Sequence, residues 1–322
     1  MRRREFLGLV GGVAIGWPLP ARAQQKVWRI GQIAAGRPGQ LLTALPQRLN
    51  DLGYVQGKNV TLQTLAVRPE PSAMEDAIRS LLPDIDLLVI WSTIGGVAAK
   101  KLASSVPVVF LSVGAPVDIG LVESLAHPGG NMTGVSFEAG TEIYAKRLQI
   151  LKEIAPAVKQ VAVLGASGDS NVAFATASLD KAAAELGVKL TPTDVKSADE
   201  LPAAFDEMQR DRIEGLIVIA GAFTAVNSSQ IASLALAHNL PSCHGFRETV
   251  VVGGLVSFGP DLPAMARQGA VYIDKIIRGA NPADLPVEQP DRYAIFINLK
   301  TAKALGLEVP SRLLATADEV IE

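Results

Sequence analysis

From Val27 onward, short apolar runs alternate with stretches in which hydrophobic residues recur every three or four positions. That is the grammar of βαβ units, and it predicts helices packed on a parallel sheet. Strands are expected at residues 28–33, 60–65, 86–90 and 106–111. Between them Leu41, Leu42, Leu45, Leu49 and Leu52 mark one helix face, closed by Gly53. Ser72 and Glu75 have capping-box spacing for the next helix, with Ile78, Leu81 and Leu82 turned inward.

A similar order of events begins again near Gln160. Strands are expected at 161–164, 188–195, 215–219 and 240–243, with an alanine-rich helix ending at Leu186-Gly187. Ser197 and Glu200 would cap a further helix, and another should run from 228 to 238. Both halves carry a helix that stops at Leu-Gly and feeds a second strand, a weak duplication in element order. Two α/β lobes follow, each a Rossmann-like, doubly wound parallel sheet.

The joins set how the lobes relate. His127-Pro128-Gly129-Gly130-Asn131 is a turn cluster, after which 132–137 can cross to the second lobe. Residues 253–259 would cross back, so that a helix over 261–278, N-capped by Asp261 and stopped at Gly279, completes the first lobe. The proline-rich 286–298 would cross a third time. The expected division is 24–135 with 257–285 against 136–256 with 286–322, joined by a three-strand hinge.

Composition narrows the class. The 322 residues are 48% hydrophobic with a formal net charge of −2, without the basic excess of a nucleic-acid binder. Arg2, Arg3 and Arg4 precede Glu5-Phe6-Leu7 and a short glycine-rich apolar run, and Ala21-Arg22-Ala23 reads as a cleavage site. The chain is therefore expected to be exported, by a twin-arginine or a general secretory signal, and cleaved near Ala23. Losing residues 1–23 shifts the formal charge to about −5. Cys243 is the single cysteine, so no intrachain disulfide or cysteine-based metal site is expected.

Enzyme signatures fail one by one. Gly53-Tyr54-Val55-Gln56-Gly57-Lys58-Asn59 lacks phosphate-loop glycine spacing and reads as a turn. No Gly-x-Ser-x-Gly elbow is present. His127, His238 and His244 lack zinc spacing and read as satisfied surface histidines. No catalytic residue, metal or cofactor is expected.

A ligand would lie beyond the carboxyl ends of the strands, where six loops converge: 34–39, 91–95 and 112–116 from one lobe, 165–171, 221–224 and 245–248 from the other. Candidate contacts in lobe one are Ala35, Ser92, Thr93 and Gly114. Ser92 and Thr93 either donate to a ligand or cap the next helix. In lobe two Ser167, Asp169 and Asn171 stand ahead of a helix, where N-capping is the competing role. Arg247 and Glu248 offer a cation and an anion for a zwitterion, or else a local surface pair. Phe223 is the preferred pocket aromatic, with Phe258 and Trp91 as further candidates that strand-end packing would equally explain.

These segments resemble a known family. Leu52-Gly53-Tyr54-Val55-Gln56-Gly57-Lys58-Asn59-Val60 is similar to its first-lobe signature. Gly120-Leu121-Val122-Glu123-Ser124-Leu125-Ala126 with Pro128-Gly129-Gly130-Asn131-Met132-Thr133-Gly134 looks like its first crossover. Gly253-Gly254-Leu255-Val256-Ser257-Phe258-Gly259-Pro260, the run 272–276, the run 283–290 and Ile297-Asn298-Leu299-Lys300-Thr301 continue it. The family is that of periplasmic substrate-binding components of ABC transporters, some of which take aromatic amino acids. The resemblance implies a type I periplasmic-binding fold and a monomer in the periplasm. It further implies that the protein closes on an amino acid or an aromatic or carboxylate compound and delivers it to an inner-membrane permease and its ATPase. A sensor that hands its liganded form to a receptor kinase, or an enzyme on the same scaffold, are the alternatives. The loops Gly114-Ala115-Pro116 and Ser92-Thr93-Ile94-Gly95 depart from the family's wording, so the cargo does not carry over.

Overall fold

The computed structural model describes residues 26–36, 41–138 and 142–322, without the side chains of Leu41 and Leu42. The expected export signal and cleavage site, part of the 34–39 loop and the inward leucines at 41 and 42 lie outside it.

The first half runs β1 (Trp28–Ala35), α1 (Leu41–Asp51), β2 (Val60–Val67), α2 (Pro71–Leu81), β3 (Leu87–Trp91), α3 (Thr93–Leu102), β4 (Val108–Val113) and β5 (Met132–Ser136). The second runs α4 (Glu142–Ile154), β6 (Gln160–Ala166), α5 (Ser170–Leu186), β7 (Lys189–Val195), α6 (Leu201–Arg210) and β8 (Gly215–Val218). Then follow α7 (Ala222–Val226), α8 (Ser228–Ala237), β9 (Ser242–His244), α9 (Arg247–Val251), β10 (Val256–Gly259) and α10 (Leu262–Ile277). The chain closes with β11 (Ala294–Asn298), α11 (Leu299–Ala304), α12 (Ser311–Thr316) and β12 (Glu319–Ile321).

Two sheets form. The first is parallel throughout, in the order β2-β1-β3-β4-β5. The second has the order β12-β11-β10-β9-β8-β6-β7. It is parallel except between β10 and β11, an antiparallel step that the expectation of two parallel sheets did not contain. Its parallel portion, β7-β6-β8-β9-β10, repeats the first sheet's winding, so the duplication seen in element order extends to topology.

Each sheet is covered on both faces. Leu45, Leu49, Met265 and Ile273 pack α1 and α10 on one side of the first sheet, while Met74, Ile78 and Ala99 pack α2 and α3 on the other. In the second lobe Leu148, Leu151 and Leu179 bring α4 and α5 to one face, and Phe205, Met208 and Ile231 bring α6 and α8 to the other. Fully burying such side chains contributes about 1.5–3 kcal/mol each against the entropy of ordering the chain.

Local signals resolve in different ways. Asp261 caps α10, its Oδ1 accepting from Ala264 N at 2.9 Å, and Gly279 at φ 100° ends it. The Ser72/Glu75 capping box does not form: α2 starts two residues earlier than a Ser72 cap would set it, at Pro71, and its N-cap Glu70 makes no side-chain cap bond. Proline at the first helical position dispenses with one donor and sets φ, so it wins the start. Ser197 likewise gives no side-chain cap, whereas Glu200 Oε2 reaches back to Lys196 N at 2.7 Å. The Gly53–Asn59 segment is a turn, with Asn59 Oδ1 accepting from Val55 N and Asn59 Nδ2 donating to Gly53 O.

The chain passes between the sheets three times. It leaves β5 at Phe137; it leaves β10 at Pro260; and it returns along 285–293 into β11. Residues 256–259 hydrogen-bond within the second sheet, so the second passage begins at Pro260. The first and third passages are stitched together, Ser136 N donating to Glu288 O at 2.9 Å and Glu288 N to Gly134 O at 3.0 Å. Tyr272 Oη donates to Pro286 O, and Tyr293 Oη to Phe137 O, adding side-chain ties across the same bundle.

Candidate functional site

A cavity of about 390 Å³ lies between the carboxyl ends of the two sheets, within the range of small-molecule sites. All six anticipated loops reach it. Ala34 and Ala35 come from the end of β1, Trp91, Ser92 and Thr93 from β3 into α3, and Ser112 from the end of β4. Asn171 stands at the start of α5, Gly221 and Ala222 after β8, and Phe246 and Glu248 at the start of α9. Winding places them there: β1/β3 and β6/β8 are the points where each sheet reverses its order, and the two reversals face each other.

One contact closes the cleft directly. Asn171 Nδ2 lies 3.2 Å from Thr93 Oγ1 and 3.2 Å from Ala220 O. Thr93 Oγ1 also accepts from Gly114 N at 3.0 Å. Thr93, Asn171 and their partners are buried, so this polar chain joins the lobes where water is excluded. Phe137 and Phe246 pack beside it with ring centroids 5.8 Å apart.

Of the anticipated contacts, Ala35, Ser92, Thr93, Asn171 and Glu248 line the cavity. Ser92 also caps α3, its Oγ accepting from Gly95 N at 3.1 Å. Gly114 stands behind the lining, where a Cβ would collide with Asn171 and Phe137. Asp169 caps α5 by accepting from Asn171 N, and lies just beyond Gly221. Desolvation raises its carboxyl pKa, partly offset by the Asn171 N–H. Ser167 is exposed in the preceding turn, its N–H spent on Val195 O.

Three residues lie elsewhere for clear physical reasons. Phe223 is buried against Phe205 and Ile231, because the short α7 turns Ala222, Ala225 and Val226 to the cleft and its opposite side to the lobe core. Phe258 packs on Tyr293 with centroids 5.5 Å apart. Arg247 forms a forked pair with Glu319 of β12, Nε–Oε2 and Nη2–Oε1 both 2.7 Å, outside the cavity lining.

The aromatic side chains of the lining are Trp91, a candidate from the sequence, and Phe137 and Phe246, which were not singled out, together with Leu262. Trp91 is 8% exposed and its indole N–H has no protein partner. Ser112 reaches the cavity through an irregularity: the register of β4 on β5 shifts between Leu111 and Val113, and Ser112 adopts φ 57°. A bulge re-aims a side chain in this way, and no local signal in the sequence marks it.

Behind the cleft sits a buried polar group around the first passage. Arg147, wholly buried, donates through Nε to Phe258 O at 2.9 Å and lies over the Tyr144 ring at 4.6 Å. Burial pushes the Glu138 carboxyl up to about 7, the Arg147 charge opposing that rise. His244 is buried on the central strand β9, correcting its reading as a surface histidine; burial lowers it to about 3 and keeps the ring neutral. Among the described residues no group of His, Cys, Asp and Glu is placed to hold a metal ion.

With this geometry in view, the comparisons place the chain. Residues 41–321 match the model of the ABC transporter substrate binding protein family, and the chain belongs to that family. It is 24% identical over 261 residues to a tyrosine-binding protein of Clostridioides difficile strain R20291, covering 81% of this chain and 74% of that one. The fold matches the ABC domain in complex with L-Trp from Streptococcus pneumonia (TM-score 0.85, 23% identity, 92% of this chain and 100% of that). It also matches the ligand-free, open structure of a substrate-binding protein with adhesive properties from Clostridium difficile (TM-score 0.66, 23% identity, 92% and 99%). The fold is that of type I periplasmic binding proteins.

Proposed function

We propose that the protein is the solute-binding component of an ABC uptake system, closing on one small amino-acid-like molecule and delivering it unchanged to a membrane permease and its ATPase. The observation that carries this is the interlobe cavity, built at both sheet reversals from all six loops and bridged by Thr93 and Asn171. Family membership and the amino acids named for two relatives support the cargo class. At equal identity the fold fits the Trp-bound relative better than the open one, which favours reading this arrangement as closed.

In this reading the lobes are 24–135 with 257–285 and 136–256 with 286–322, apart from 257–259, which pair in the second sheet. They rotate about the three passages. The arginine-led N-terminal segment exports the chain to the periplasm, where it works as a monomer. A thermal-shift screen against amino acids and small aromatic compounds, followed by small-angle scattering with the best hit, tests the proposal. Binding raises the melting temperature by mass action and reduces the radius of gyration. A screen without any shift, or a hit without compaction, refutes it.

A further inference from the structure

Glu248 is the one charged side chain among the described residues that line the cavity. It sits in the first turn of α9, open to the cleft, yet crowded enough that desolvation raises its carboxyl pKa. The neighbouring Arg247 lowers that pKa only in part, and Asp261 acts in the opposite direction. Arg247 lies outside the cavity lining, and its Nε–Nη2 edge is engaged by Glu319. A second carboxylate, Asp169, stands just beyond the rim at Gly221.

The lobe-one wall offers neutral polar groups rather than a second charge. Ser92 Oγ caps α3, and Thr93 Oγ1 is shared between Gly114 and Asn171. The rest of the lining is mainly apolar, with Phe246, Ala225, Val226, Leu262 and Trp91 beside the hydroxyls of Ser228 and Thr249. A carboxylate gives a cation strong, oriented hydrogen bonds, and an aromatic wall attracts it further. Among the described residues that line the cavity, none carries a positive charge to pair with an anion.

We propose that the cleft recognises a protonated amine on an apolar or aromatic body, with Glu248 as its counter-ion, and that a ligand carboxylate is dispensable. This rests on the solute-binding reading and narrows it to organic cations, which include decarboxylated aromatic amino acids. Tryptamine, tryptophan and indole-3-propionate share one framework and isolate each charge.

Calorimetric titration of the three compounds at neutral pH tests the assignment. Tryptamine should bind at least as tightly as tryptophan, and indole-3-propionate at least about tenfold more weakly than either. Glu248→Gln should weaken tryptamine about tenfold or more at an unchanged melting temperature, and Glu248→Asp, which retracts the carboxylate, should give an intermediate loss. Propionate matching tryptamine, tryptophan binding without tryptamine, or a Glu248→Gln protein that still binds tryptamine fully would overturn the amine assignment while leaving solute binding intact. Binding of none of the three also overturns it, and the broad screen then judges solute binding separately.

Discussion

Thr93 and Asn171, 78 positions apart in sequence, share a buried hydrogen bond across the cleft, Asn171 Nδ2 to Thr93 Oγ1 at 3.2 Å. Each belongs to the start of a helix in a different lobe, so the bond exists only while the lobes are shut. Thr93→Val keeps the shape and removes the hydroxyl, at a cost of about 1–2 kcal/mol to the closed form. The variant should bind its best ligand about five- to thirtyfold more weakly and need correspondingly more of it to reach the compact form in small-angle scattering. An unchanged scattering titration would show that the bond does not hold the jaw.

Arg247→Ala should leave binding within about twofold of the parent, because its guanidinium faces Glu319 rather than the cavity. Both partners are roughly two-fifths exposed, so losing the pair should cost no more than about 1 kcal/mol in urea unfolding. A selective loss of acid binding would return Arg247 to the site.

Glu138 offers a pH test. Its folded carboxyl lies near 7 and its ordinary value at 4.5, so between those values the native state holds a proton that the unfolded chain has lost. Stability contributed by this group therefore falls as pH rises from about 4.5 to 7, by up to about 3 kcal/mol, and levels off above. Glu138→Gln should be the more stable protein at pH 8, with the gap narrowing toward pH 5 in denaturant titrations. A gap independent of pH contradicts the assignment.

Gly134 pairs with Phe110 in β5 at φ 149°, and a Cβ there would overlap the Phe110 carbonyl. Gly134→Ala should destabilise the fold by on the order of 3 kcal/mol or prevent soluble expression, as read by thermal melting. Gly130→Ala, where a Cβ meets open space, is the control.

Much of the scaffold was legible because periodicity and burial agree. Leu45 and Leu49 sit under α1, and Asp261 and Gly279 bound α10. The passages were placed less well: 132–136 and 256–259, read as crossings, are instead strands β5 and β10 of the two sheets, and the chain leaves them only at Phe137 and Pro260. Side-chain destinations were harder to read. Phe223 and Phe246 occupy equivalent loops, and only the rotation of the five-residue α7 decides that the first faces the core and the second the cleft. Arg247 was drawn to Glu319, a partner 72 positions away that no local pattern announces. Ser112 depends on a register shift set by the neighbouring strand.

The first lobe is finished by a latecomer. Its sheet is complete at Ser136, yet a helix that shields one of its faces, Leu262–Ile277, is written only after strands β6 to β10 of the other lobe. An isolated 26–136 fragment would leave Leu111 and Val135 in water and should aggregate, so the two halves must mature together. Folding of the first lobe therefore waits for residues 262–277 and does not proceed stepwise from the N-terminus.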